Sequence, residues 1–176
     1  MPRGALRGDA ESEQITARLS RLEHWTLDGR FAVRTDQDAG QGAIQWRHEK
    51  TEDRIYLSGP FGQGAVQIIA RENFIEIDRG GGQTEVSTRP DVFLSEQLGF
   101  KVPLTALAYW VLALAAPHAS YQSETNAQGR LSVLQQLDWK ILYQRYAWVD
   151  EMLLPKKITV LQGPYVLKMV IDQWQL

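Results

Sequence analysis

The 176-residue chain reads as a mainly β (α+β) single domain: one antiparallel sheet curled into a partly closed barrel, with an N-terminal helix and short helices against its mouth. Apolar residues alternate with polar ones through most of the chain, and Gly- and Pro-rich turns separate the runs. One central stretch instead follows the 3.6-residue period of a helix. A sheet with one apolar parity per strand must curl or be covered, because a flat one leaves that face wet.

Glu11 to His24 is expected to be a helix, since Ile15, Leu19 and Leu22 recur at i, i+4, i+7. Residues 1–10 read as a disordered N-terminal segment or a cloning remnant, and 11–176 as the domain. From Trp25 the period becomes two: Trp25, Leu27, Phe31 and Val33 share one parity. Gly29 falls on that apolar parity, where a missing side chain marks a bulge or a close backbone approach. Strands follow around Ile44 and Trp46, Ile55 and Leu57, Val66 and Ile68, and Ile75 and Ile77. Turns are placed at Asp36–Gly42, Gly59–Gly62 and Gly80–Gly82.

Pro90-Asp91 then opens a short helix that Gly99 can close. Pro103, at the first helical position, starts another, which carries Leu104, Leu107, Trp110, Val111 and Leu114 up to Pro117. Strands resume at Tyr121, Leu131–Leu137, Trp139 to Tyr143, Ile158 and Val160, and Tyr165 to Ile171, for about ten or eleven in all.

Composition narrows the function. With 44% hydrophobic and 23% charged residues and a net charge of -2, the chain is an ordinary globular protein. It shows no run of Lys/Arg interleaved with aromatics, so no nucleic-acid partner is expected. Cysteine is absent, which removes disulfides and thiolate chemistry. Leu104 to Pro117 is too short to cross roughly 30 Å of hydrocarbon. Met1 to Glu13 lacks the apolar core of a signal peptide, and removal of an export signal stays open.

Reactive groups are sparse. His24, His48 and His118 are isolated, without metal-ligand spacing, and are expected in surface or structural roles. Glu11/Glu13 and Glu49/Glu52 read as solvated charge. There is no Gly-x-Ser-x-Gly elbow, and Gly80–Gly82 lacks the Lys-Ser/Thr of a phosphate loop. No catalytic residue, metal site or cofactor is expected.

The informative residues are apolar. The chain has six Trp, spread along its length. The candidate walls of an apolar cavity are Trp25, Leu27, Phe31, Val33, Ile44, Trp46, Ile55, Leu57, Val66, Ile68, Leu107, Trp110, Val111, Ile141, Tyr143, Leu167 and Met169. Any one of these aromatic residues is most simply core. In Ser58-Gly59-Pro60-Phe61-Gly62-Gln63-Gly64, Phe61 stands at the tip of a Gly/Pro turn. It either folds back onto the sheet or, with Pro60 and Gly62, forms a loop that touches a membrane.

These residues carry a resemblance. In order, they are Trp25-x-x-x-Gly29-Arg30-Phe31-Ala32-Val33, the Trp46 strand, Ser58-Gly59-Pro60-Phe61-Gly62 and Val102-Pro103-Leu104-x-x-Leu107-x-x-Trp110-Val111-Leu112. Asp138-Trp139-Lys140-Ile141-x-Tyr143, Leu154-Pro155 and Trp174 complete the set. Together they resemble the LolB family of outer-membrane lipoprotein receptors, across nearly all of Trp25 to Trp174.

The resemblance implies an unclosed β-barrel with a helical lid and a monomeric receptor on the periplasmic face of the outer membrane. Such a receptor accepts acylated lipoproteins from a periplasmic LolA-type carrier and inserts them into the inner leaflet. It aligns Phe61 with the family's membrane-insertion hydrophobe. Two departures stand out. The family's mature chain begins with a lipid-modified Cys that this chain lacks. Ala113-Leu114-Ala115-Ala116-Pro117, where the family commonly shows Gly before its Pro, reads as an extension of the helix.

A lipocalin-like binder of a small hydrophobic ligand is the alternative. A third reading, an enzyme with a dispersed acidic site, is opposed by the lack of a His or paired carboxylate on the inward parity.

Overall fold

The computed structural model describes residues 5–59, 64–98 and 103–176, without the side chains of 5–11 and 97–98. Helix α1 (Ala5–Leu19) leads into six strands: β1 (Trp25–Arg34), β2 (Ala39–Glu49), β3 (Glu52–Ser58), β4 (Val66–Arg71), β5 (Phe74–Asp78) and β6 (Thr84–Ser87). Helices α2 (Pro90–Leu98) and α3 (Leu104–Trp110) follow. Five more strands close the chain: β7 (Tyr121–Thr125), β8 (Leu131–Gln136), β9 (Trp139–Val149), β10 (Met152–Gln162) and β11 (Tyr165–Gln175).

All eleven strands lie in one sheet, ordered β6-β5-β4-β3-β2-β1-β11-β10-β9-β8-β7. The first six strands step outward from β1, and the last five return from the far edge until β11 pairs antiparallel with β1. The barrel is therefore unclosed between β6 and β7, and the segment joining those two edges contains α2 and α3. This open order differs from the closed eight-stranded barrel of a lipocalin.

The curl has local causes. At Asp28/Gly29 the β1–β11 register shifts, and a Cβ on Gly29 would lie 2.2 Å from the Val170 carbonyl oxygen. Only glycine lets β11 approach that closely, as its place on the apolar parity predicted. A second irregularity falls between Pro155 and Ile158, where β10 bends against β9.

Several element boundaries depart from expectation. Helix α1 takes in residues 5–10, expected to be disordered, and ends at Leu19 rather than His24. Ala5, Leu6 and Ala10 are strong helix formers even without an apolar stripe. The Ser20 hydroxyl donates to the Ala17 carbonyl, and single turns follow to Leu22.

The first hairpin turn is confined to Thr35–Asp38, so Ala39–Gly42 is strand. Gly42 sits opposite Phe31, and a Cβ there would lie 1.8 Å from the Ser58 carbonyl oxygen. Strand β6 was not legible, because Thr84-Glu85-Val86-Ser87 has no buried parity. Pro60, Phe61, Gly62 and the expected stop at Gly99 lie outside the described residues.

Candidate functional site

The inward parity of the long strands builds an apolar concave face, and α3 lies against it. Trp25, Leu27, Phe31, Val33, Ile44, Trp46, Ile55, Val66, Ile68, Ile141, Tyr143, Leu167 and Met169 are buried there in one cluster with Leu107, Trp110 and Val111 of the α3 segment. Leu57 is half-buried against the same cluster. The structure thus brings the expected wall residues together, but packs them onto α3.

Helix α3 is apolar on several sides: Leu104, Ala106, Leu107, Ala108 and Trp110 are all buried. Pro103 is its N-cap, with no side-chain hydrogen bond, rather than its first helical residue. The helix does not run on to Leu114. Ala113 adopts φ 60°, its N–H donates to the Trp110 carbonyl at 3.0 Å, and the Leu114 N–H donates to the Tyr109 carbonyl at 3.1 Å. This is a Schellman stop with alanine in the left-handed position that glycine occupies without strain.

The C-terminal end of this segment is fastened to β8 and β9. The buried Gln136 carboxamide oxygen accepts from Trp110 Nε1 at 2.9 Å and from the Ala116 N–H at 2.8 Å. Its nitrogen donates to the Ala116 carbonyl at 2.8 Å and the Ala119 carbonyl at 3.1 Å. The Tyr143 hydroxyl donates to the Trp110 carbonyl at 2.7 Å, and burial pushes its pKa well above the usual phenol value. A glutamine following Leu134 on the inward parity was the sequence signal for this clamp, and sequence reasoning missed it.

A cavity of about 500 Å³ opens beside α3. Leu19, Leu22, Trp25 and Ala70 line one side, and Leu104, Ala108, Tyr109 and Leu112 the other. Of the expected wall residues only Trp25 lines it; the i, i+4, i+8 stripe Leu104/Ala108/Leu112 went unread because the adjoining Leu107/Trp110/Val111 stripe is bulkier.

His48, Lys50, Glu52, Asp53 and Arg71 rim this cavity. Trp46 Nε1 donates to Asp53 Oδ1 at 2.7 Å, and His48 Nδ1 lies 2.7 Å from the same oxygen. The His48 ring stacks on Trp25 at 5.0 Å, and Trp25 meets Trp46 and Trp174 edge-on at 5.1 and 5.6 Å. A His–Asp pair on the inward parity corrects the expectation that none exists there: β2 carries Trp46 and His48 inward together, and the β2–β3 hairpin places Asp53 opposite. Among the described residues no hydroxyl bonds the His48 ring, and the pair orders the aromatic cluster.

Glu52 is not freely solvated as expected. Hydrogen bonds from Arg71 and then Arg54 hold its carboxyl below the ordinary value. Among the described residues no group of three His, Asp or Glu is placed to hold a metal, and no helix is long and apolar enough to cross a membrane.

The open antiparallel sheet with an apolar helix against it is a fold this chain shares with a solved structure. A LolA superfamily protein from Nitrosomonas europaea superposes with a TM-score of 0.58, covering 93% of this chain and 92% of that one at 10% identity. The family model of the outer membrane lipoprotein LolB matches residues 23–174. The outer-membrane lipoprotein LolB of Chromohalobacter salexigens is 33% identical over 170 residues, 97% of this chain and 78% of that protein. Its counterpart from Pseudomonas aeruginosa is 32% identical over 169 residues, 96% and 82% of the two chains. The chain belongs to the LolB family.

Proposed function

We propose that the protein works at the outer membrane as a lipoprotein receptor. It takes the acyl chains of a lipoprotein from a periplasmic LolA-type carrier onto its concave face, and passes them to the bilayer without covalent chemistry. The observation that carries this reading is the cover of the apolar face: a helix of seven residues, uncapped at its start, rather than a second sheet. Short helices held mostly by tertiary contacts are the elements that move at modest cost.

Energetics favour a covered route. Each methylene exposed to water costs about 0.8 kcal/mol, so one long acyl chain left in solvent costs on the order of 10 kcal/mol. Transfer must then run from one apolar face to the next, driven by differences in affinity. The cavity beside Trp25 is the entry, and displacement of α3 exposes the remaining wall residues as the acyl site. The protein acts as a monomer, and Phe61, flanked by Pro60 and Gly62, touches the bilayer in the last step.

The test is stepwise transfer of a labelled lipoprotein from a LolA-type carrier to this chain and on to liposomes. Phe61→Glu is expected to accept cargo normally and to stall at delivery. Delivery at the wild-type rate would remove Phe61 from the mechanism. Failure of the wild type to displace a fluorescent fatty acid in favour of a triacylated lipopeptide would remove the acyl site itself.

A further inference from the structure

No block of basic residues is visible along the chain, yet the register of four strands assembles one on the convex face. Three rows run across β1, β11, β10 and β9: Arg30–Val170–Lys157–Arg145, Ala32–Lys168–Thr159–Leu142, and Arg34–Val166–Leu161–Lys140. Adjacent strands lie about 4.8 Å apart and alternate residues about 6.7 Å apart, so six cations occupy a patch roughly 14 Å on a side. The rows hold no acidic residue. Arg30 is paired with Asp172 at 3.1 Å just outside them, and among the described residues the other five cations have no ion pair.

The chain as a whole carries a net charge of -2, so this face is a strong local departure. The spacing of its charges is comparable to the Debye length of about 8–10 Å at physiological salt, so their fields add.

We propose that this face docks on the headgroups of an anionic phospholipid bilayer, which deepens the membrane role stated above and rests on it. Two features select a lipid surface over a macromolecule with a shaped interface. The uncharged residues of the rows are short or aliphatic and include no aromatic anchor of the kind that dominates protein contacts or stacks nucleic-acid bases. The charges are spread over a broad face at the tips of flexible side chains, which suits a fluid array of headgroups needing proximity rather than register. Docking through the convex face leaves the concave face and its covering helix open to an incoming carrier. The Arg30 row continues through Ala43 to Ser58, the last residue of β3.

The test is co-sedimentation of the full chain with vesicles of phosphatidylcholine alone, or with one part in four of phosphatidylglycerol, at low and high salt. The variant is Lys140→Gln/Lys157→Gln/Lys168→Gln, whose three side chains are at least partly exposed and outside the cavity, so its melting temperature is expected to match the wild type. The wild type is expected to prefer the anionic vesicles and to lose that preference in high salt. The triple variant loses on the order of a hundredfold in affinity while still binding a soluble triacylated lipopeptide.

Equal binding to both vesicle types, or anionic-vesicle binding unchanged in the variant, overturns the proposal. So does retention on heparin without binding to phosphatidylglycerol, which would assign the face to a nucleic acid or an acidic protein. Loss of lipopeptide binding in the variant overturns it as well, since the face would then not be separate from the cavity. A wild type that binds anionic vesicles but no lipopeptide defeats the acyl-site reading and leaves this one standing.

Discussion

The two ends of α3 are held in opposite ways. At its C-terminal side Gln136 makes four hydrogen bonds to Trp110, Ala116 and Ala119, and Tyr143 closes a fifth onto the Trp110 carbonyl. At its N-terminal side Pro103 offers no side-chain cap and Leu104 faces the cavity. In the function proposed above, a cover fixed at one end and uncapped at the other opens as a flap, and the same helix is core when closed and gate for cargo when open.

Removing the clamp has the largest expected effect. Gln136→Leu strands the Trp110 Nε1–H and the backbone groups of Ala116 in an apolar interior, and is expected to cost about 3 kcal/mol in denaturant unfolding. Tyr143→Phe removes one of the two hydrogen bonds to the Trp110 carbonyl, leaving that from the Ala113 N–H, and is expected to cost about 1.5 kcal/mol by the same measurement. If both variants unfold like the wild type, the C-terminal end is not the fixed one.

Ala113→Gly relieves the left-handed backbone at the Schellman stop and is expected to stabilise the protein by about 1 kcal/mol. A lower melting temperature in that variant would show that Ala113 contributes packing that outweighs its strain. At the loose end, Pro103→Asp supplies a capping carboxylate and is expected to add about 0.5 kcal/mol and to slow uptake of a fluorescent fatty acid. Uptake at an unchanged rate would mean that opening does not begin there.

The smallest effect belongs to the rim. The Glu52 carboxyl is held below its ordinary value of 4.5 by Arg71 and then Arg54, so its contribution to stability is fully present above that value and is lost as pH falls through the lowered one. Melting curves of Glu52→Gln and wild type are therefore expected to differ slightly at neutral pH and to converge in acid. Fatty-acid uptake is expected to be the same in both.

Much of this was legible in the sequence where burial imposes a period. The inward parity of β1 and β2, the Gly29 approach and the apolar α3 all follow from side chains that must leave water. The stop at Ala113 was not, because alanine favours continuing a helix, and the bonds from Gln136 and Tyr143 that fasten the turn come from strands distant in sequence. Strand β6 and the cationic rows share a different reason: neighbours across strands are distant in sequence, and exposed residues carry no periodic signal. The cavity beside Trp25 escaped because its volume depends on how α1, α3 and the β2–β3 hairpin meet, which composition does not encode.

Hydrogen exchange along residues 103–119, read by mass spectrometry with and without a soluble triacylated lipopeptide, tests the hinged cover most directly. The Leu107 and Val111 amides, bonded to the Pro103 and Leu107 carbonyls, lie on the helix, and the Ala116 amide is bonded to Gln136. Loading is expected to strip protection from the Leu104–Trp110 amides, beginning at the N-terminal turn, while Ala116 stays protected. Unchanged protection along α3, or loss first at Ala116, would contradict a cover that opens from its uncapped end.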